Sequence, residues 1–146
     1  MYDKFLRLGG RRALPLPFLT VVQCDGSYTR QRGAAVAYLI YDSSQQVVTS
    51  KRVDLPFAAS STEAEWAAVA QGLEAALEME NETIGLENDC LSVVAGLVHP
   101  ANAMRHAYAR HYRKKIIDLS AQTLWTGVRW IPRKANRADD LFRRLA

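Results

Sequence analysis

The chain has 146 residues, 49% of them hydrophobic, with 19 Lys and Arg against 15 Asp and Glu, a formal charge of +4 and a pI near 9.3. That is enough apolar material for one compact domain with its own core, which excludes a disordered chain. No apolar run reaches the roughly 18 residues of a membrane-spanning helix. The basic balance suits a polyanionic partner without selecting one.

Residues 1–16 carry Lys4, Arg7, Arg11 and Arg12 against Asp3, with Gly9-Gly10 and Pro15 as breakers. They read as a loosely attached basic extension, either a frayed terminus or an arm for nucleic acid. The domain proper is then 17–146. Asp3, Lys4 and Arg7 interrupt the apolar residues of the start, unlike the core of a secretion signal, so a cytoplasmic protein is expected, as a monomer. Cys24 and Cys90 form no Cys-x-x-Cys pair and read as buried, reduced thiols.

The first strand is expected over Phe18–Cys24, ended by Asp25-Gly26, with a hairpin connection into a second over Ala34–Tyr41. After the Asp42–Gln45 turn comes a third over Val47–Leu55. A helix follows over Thr62–Glu80. Ser60, Ser61 or Thr62 can cap it, Glu63 and Glu65 lie in its first turn, and Trp66, Val69, Leu73 and Leu77 recur at helical spacing. Ile84–Asn88 is a fourth strand and Leu91–Leu97 a short helix that stops near His99-Pro100. Ala103–Thr123 is a long helix with the stripe Met104, Tyr108, Tyr112, Ile116 and Leu119. Val128–Ile131 is a fifth strand, and Ala138–Ala146 a closing helix. The order is βββαβααβα, an α/β fold whose five-stranded mixed sheet has three antiparallel and two further parallel strands, flanked by helices.

Four acidic positions stand where such a fold gathers them: Asp25 after the first strand, Glu65 in the first helical turn, Asp89 after the fourth strand, and Asp139 or Asp140 opening the last helix. Carboxylates at close range repel one another. Hard divalent cations relieve the repulsion through oxygen ligands, and Mg²⁺ also accepts phosphate oxygens. Two such ions about 3.5–4 Å apart can activate water on one side of a phosphodiester and stabilise the leaving oxygen on the other. Each acid also has an ordinary use: Asp25-Gly26 as a turn pair, Glu63 or Glu65 as a dipole-favoured first-turn acid, Asp89 as a helix cap.

Together these segments resemble the ribonuclease H family over about residues 18–146. The motifs are Asp25-Gly26-Ser27 before the hairpin into Ala35–Ile40; Ser60-Ser61-Thr62-Glu63-Ala64-Glu65-Trp66 at a helix start; Glu87-Asn88-Asp89-Cys90; and Trp130-Ile131-Pro132-Arg133-Lys134-Ala135-Asn136-Arg137-Ala138-Asp139-Asp140-Leu141. The resemblance implies a ribonuclease H-like fold and an endoribonuclease that cuts the RNA strand of RNA–DNA hybrids with two Mg²⁺ or Mn²⁺ ions. It makes Asp25, Glu65 and Asp89 metal ligands. Counting from Pro132-Arg133 and Asn136 selects Asp140 as the fourth; counting back from Leu141 through Ala138-Asp139 selects Asp139, which is preferred because Ala-Asp-x-Leu sets the inward helical face.

Substrate contacts are implied at Gly26, Ser27, Ser60, Ser61 and Thr62, with Ser61 and Thr62 where many relatives have Asn, and at Arg133 and Lys134, which lie in a shortened loop where some relatives carry a His. Other readings are a nuclease of the same superfold acting on DNA or structured RNA, and a non-catalytic nucleic-acid-binding module. The acid-free run Arg105, His106, Arg110, His111, Arg113, Lys114, Lys115 reads equally as a DNA grip or as the solvated face of a helix.

Overall fold

The computed structural model describes residues 2–103 and 105–143; Met104 of the expected stripe, and residues 144–146 of the expected last helix, lie outside them. A six-stranded sheet is made by β1 (Leu6–Gly9), β2 (Thr20–Thr29), β3 (Gly33–Tyr41), β4 (Val47–Leu55), β5 (Thr83–Asn88) and β6 (Trp125–Trp130), in the spatial order β1-β6-β5-β2-β3-β4. β2, β3 and β4 form the expected antiparallel meander. β5 and β6 run parallel to β2 and to each other, and helices α1 (Ser61–Glu78), α2 (Leu91–Val98) and α3 (Ala107–Ser120) make the crossovers.

The sheet has six strands rather than five because Leu6–Gly9, expected in a loose extension, pairs antiparallel with β6. Around it the Trp130 N–H donates to the Tyr2 carbonyl at 2.6 Å, and the Arg11 and Arg12 N–H groups donate to the Thr123 and Leu124 carbonyls. Phe5 meets Trp125 edge-on and lies over Gly85. A four-residue strand flanked by charges and Gly-Gly has no alternation to read. Its order comes from a partner more than 100 residues away.

Asp25-Gly26 does not end the first strand: β2 continues to Thr29, and the hairpin turns at 30–32 before Gly33, whose φ is +73°. Gly26 is extended and opposes Val36. Its missing side chain serves packing, since a Cβ there would run into the backbone of Ala64 and Glu65. The second residue of the apparent turn pair is thus where helix α1 comes down onto the strand.

Helix α1 begins with a capping box. Ser60 Oγ accepts from the Glu63 N–H at 3.1 Å, and Glu63 Oε1 accepts from the Ala59 N–H at 3.1 Å. Glu63 therefore fills the structural role among the first-turn acids. The buried face of α1 is mostly small: Ala64, Ala67, Ala68, Ala70, Gly72 and Ala76 let it lie close to β2 and β3, with Trp66, Val69 and Leu73 filling the gaps. Val69 and Leu73 are fully buried, each side chain contributing roughly 1.5–3 kcal/mol. Against α1 lies α3, which starts at Ala107 rather than Ala103 because Pro100–Ala103 form a separate 3-10 turn. Its Ile116 is buried, and Tyr108, Tyr112 and Leu119 pack against the core as the stripe predicts.

Gly72 faces Cys24 and Val22, so those β2 residues point toward α1. Strand alternation turns Gln23 and Asp25 to the opposite face. Over that face runs the chain after β6. The expected closing helix becomes a 3-10 turn at Arg133–Ala135, another at Arg137–Asp139, and α4 (Asp140–Arg143) within the described residues. None of the described helices is long and apolar enough to cross a membrane.

Candidate active site

Three elements deliver acids to one point. Asp25 comes from the middle of β2, Glu65 from the first turns of α1, and Asp89 from the residue just after β5. Each offers a carboxylate oxygen, and these oxygens all lie within 4.8 Å of one another. Asp25 is 6% exposed and Glu65 8%, while Asp89 is half-buried. They share a cleft of about 270 Å³ with Gly26, Ser27, Tyr28, Ser61, Arg133 and Asp139.

The choice left open between Asp139 and Asp140 has a geometric counterpart. Asp139 lines the carboxylate cleft with its side chain 16% exposed, and its charge acts on Asp25. Asp140 is 50% exposed and lines a neighbouring cleft instead, with Arg143 Nη1 at 4.0 Å. Arg143 Nη2 donates to Asp139 Oδ2 at 2.8 Å.

Burial and mutual repulsion dominate the electrostatics. Burial, then the charge of Asp89, pushes Asp25 from 3.8 up to about 7. Burial, then the charge of Asp25, pushes Glu65 from 4.5 up to about 10. Burial also raises Asp89, opposed by hydrogen bonds from Glu65 and Asn136 and by the Arg133 charge. Without a counter-charge, the cluster therefore retains protons near neutral pH. Beneath it, burial and the nearby carboxylates raise Cys24 well above the ordinary thiol value, so it is an inert thiol in the core.

Amides hold the carboxylates in place. Asn88, fully buried, donates from Nδ2 to the Cys24 carbonyl at 3.0 Å and to Glu65 Oε1 at 3.5 Å; its Oδ1 accepts from the Cys90 N–H at 2.9 Å. Asn136, 3% exposed, donates to the same Cys24 carbonyl at 2.8 Å and to Asp89 Oδ2 at 3.4 Å. The Gly26 N–H donates to Glu65 Oε1, and Trp130 Nε1 donates to the Asp89 carbonyl at 3.0 Å. Neither asparagine was among the expected site residues. Both stand inside quoted motifs, beside Asp89 and in Pro-Arg-x-x-Asn, so their signal was position in a motif rather than charge.

The expected substrate contacts divide. Gly26, Ser27, Ser61 and Arg133 line the carboxylate cleft. Ser60 is committed to capping α1, and Thr62 lies outside the cleft lining. Lys134 lines the adjoining cleft of about 360 Å³ with Arg133, Asn136, Arg137, Asp139, Asp140 and Arg143. The basic run on α3 is partly structural. Arg113 donates to the Gly96 and Leu97 carbonyls at 2.9 Å each, closing the end of α2, while Lys114 pairs with Asp118 at 2.7 Å and Lys115 with Glu74 at 3.3 Å.

The donor set suits a hard divalent cation. It consists of carboxylate oxygens from three elements, with a fourth acid alongside and no thiolate or imidazole among them.

The family described as reverse transcriptase-like matches over residues 23–144. No curated protein matches by sequence. Among solved structures, RNase H1 from the halophilic archaeon Halobacterium salinarum NRC-1 is similar at a TM-score of 0.78 and 25% identity, over 84% of this chain and 93% of that one. LC11-RNase H1 in complex with an RNA/DNA hybrid has a TM-score of 0.73 at 18% identity, over 87% and 99%. The N-terminal RNase H domain of Rv2228c from Mycobacterium tuberculosis has a TM-score of 0.72 at 18% identity, over 88% and 99%.

Proposed function

This chain belongs to the ribonuclease H family, through the group described as reverse transcriptase-like, and from that premise we propose that it cuts the RNA strand of RNA–DNA hybrids by two-metal-ion catalysis. The observation that carries the reading is the convergence of Asp25, Glu65 and Asp89, with oxygens within 4.8 Å, in a cleft that Asp139 also lines. A protein that only bound phosphates would gain nothing from such a cluster, whose repulsion is costly without cations. A related structure, LC11-RNase H1, is described with an RNA/DNA hybrid bound, which supports the substrate class.

Asp25, Glu65, Asp89 and Asp139 would hold Mg²⁺ or Mn²⁺. When bound, such ions polarise an attacking water and stabilise the leaving oxygen. The water oxygen joins phosphorus as the bond to the 3′-oxygen breaks, leaving 3′-hydroxyl and 5′-phosphate ends. Asn88 and Asn136 keep the carboxylates oriented through the cycle. Ser27 and Ser61, with the backbone at Gly26, offer hydrogen bonds at the rim for a 2′-hydroxyl, the group that separates RNA from DNA. Arg133, on the same rim, is placed to meet a phosphate. Recognition through backbone and groove shape implies little sequence preference.

The test is a panel of labelled RNA–DNA hybrid, double-stranded RNA, double-stranded DNA and single strands, incubated with Mg²⁺ or Mn²⁺. Cleavage confined to the RNA of the hybrid, abolished by chelator and by Asp25→Asn in a folded protein, is the expected result. Equal cutting of double-stranded DNA, or an active Asp25→Asn variant, would overturn the reading.

A further inference from the structure

Gln23 stands two residues before Asp25 on β2, on the same face of the sheet, and a row of polar side chains crosses four strands through it. β-Sheet register places Gln23 beside Glu87 of β5, and Glu87 beside Arg129 of β6. Gln23 Nε2 donates to Glu87 Oε1 at 2.9 Å. Glu87 is 3% exposed, and its other oxygen accepts from Arg129 Nε at 2.7 Å and from Arg129 Nη2. The Arg129 guanidinium lies 4.3 Å over the Phe5 ring. On the other side, the Tyr41 hydroxyl of β3 donates to Gln23 Oε1 at 3.2 Å.

Two further bonds leave the sheet. Gln23 Nε2 donates to the Ala135 carbonyl at 3.3 Å, and Gln23 Oε1 accepts from the Arg137 N–H at 3.1 Å. One side-chain amide thus grips the chain on both sides of Asn136, as a neighbouring strand would, just before the 3-10 turn that carries Asp139. The amide has one workable orientation. The Ala135 carbonyl and the carboxylate paired with Arg129 accept hydrogen bonds, while the Arg137 N–H only donates, so a reversed amide would face acceptor with acceptor and donor with donor. None of these groups reaches the acidic cleft, and the cluster needs none of them as ligands.

We propose that Gln23, fixed in one orientation by the Arg129–Glu87 ion pair, is a positioning residue that sets where Asp139 stands against Asp25. The proposal rests on the reading of the acidic cleft as a metal-holding nuclease site. Asn136 ties the same segment to the Cys24 carbonyl. Gln23 supplies the second anchor, and two anchors are what prevent a short segment from pivoting about one.

The experiment measures Mn²⁺ binding to the substrate-free protein by calorimetry, with thermal melting and hybrid-cleavage kinetics alongside. Gln23→Met keeps the length of the side chain and removes all four hydrogen bonds. It is expected to weaken Mn²⁺ binding about 10-fold and to lower kcat while leaving KM for the hybrid unchanged, the range found when groups that orient metal ligands are removed. In Asp139→Asn the same change should add nothing further, because its effect acts through that carboxylate. Gln23→Glu keeps acceptors for the Arg137 N–H and the Tyr41 hydroxyl but sets a carboxylate against Glu87 and the Ala135 carbonyl, so it should also weaken Mn²⁺ binding. Adding Glu87→Gln removes the repulsion and rebuilds the bond between the two positions, though not the donor to Ala135, and should recover part of the affinity. That exchange carries the test should Gln23→Met fail to fold.

Wild-type Mn²⁺ affinity in folded Gln23→Met, a loss that multiplies with that of Asp139→Asn, or no recovery in the exchanged pair would each overturn the proposal while the nuclease reading stands. Wild-type protein that neither binds Mn²⁺ nor cuts hybrid would overturn both.

Discussion

Replacing Asp25 by Asn should make the metal-free protein more stable above neutral pH while destroying its activity. Asp25 sits at 6% exposure against Asp89 and Glu65, with its pKa raised from 3.8 to about 7. Because the folded-state value lies above the unfolded one, the protonated acid is compatible with the fold and the carboxylate is not. The contribution is intact below about pH 4 and is lost as pH rises through about 7. A shift of that size corresponds to roughly 4 kcal/mol at 1.36 kcal/mol per unit. Asn retains a buried amide that must also be desolvated, so about half of this, roughly 2 kcal/mol, is the expected gain, or about 4–8 °C in Tm for a chain of this size. The assay is thermal melting by circular dichroism in chelator, from about pH 4 to about pH 8. Because Asn does not titrate and its amide is desolvated at every pH, the variant should melt below wild type at the acid end, by roughly 2 kcal/mol, and the two curves should cross as pH rises. A variant that melts at or below wild type near pH 8, or a gain that does not vary with pH, would refute the electrostatic account of the site.

Mg²⁺ or Mn²⁺ should raise the wild-type Tm, more near pH 8 than near pH 5 where the carboxylates hold their protons; at 100 times the dissociation constant the stabilisation is about 2.7 kcal/mol, and differential scanning calorimetry at both pH values checks it. Asp139→Asn should lower hybrid cleavage by about 100-fold or more, as expected for losing a charge worth several kcal/mol in the transition state, whereas Asp140→Asn, half-exposed beside Arg143, should stay close to wild type in the same assay. Gly26→Ala places a methyl against the backbone of Ala64 and Glu65; it should destabilise the fold by about 3 kcal/mol or more in urea and reduce cleavage further than the stability loss explains, because Glu65 is pushed out of place. Asn136→Ala leaves the Cys24 carbonyl with one donor in place of two and removes a bond to Asp89, so a loss of about 1–3 kcal/mol in denaturant is expected, with weaker metal binding.

The amino-acid sequence alone determined the periodic elements and the identities of the acids. Helix α1 was legible because capping residues and apolar spacing are local properties of Ser60–Glu78, and the meander β2–β4 because apolar runs and turn residues alternate within a few positions. Asp25, Glu65 and Asp89 were found through their motifs, and the chain folds so that all three meet. Tertiary structure decided the rest. Leu6–Gly9 is a strand only because β6 offers it an edge. Gly26 looked like half of a turn and proved to be a contact point for a helix. Asp139 and Asp140 are adjacent, and which of them faces the cleft depends on the rotation of a short 3-10 turn whose capping Asn136 is bonded to the Cys24 carbonyl and whose Arg137 N–H is bonded to Gln23, both on a strand far away in the sequence. The physical reason is the same in each case: local propensity acts over a few residues, whereas the direction of a side chain at a strand edge or in a short turn is set by partners that only the folded sheet brings within reach.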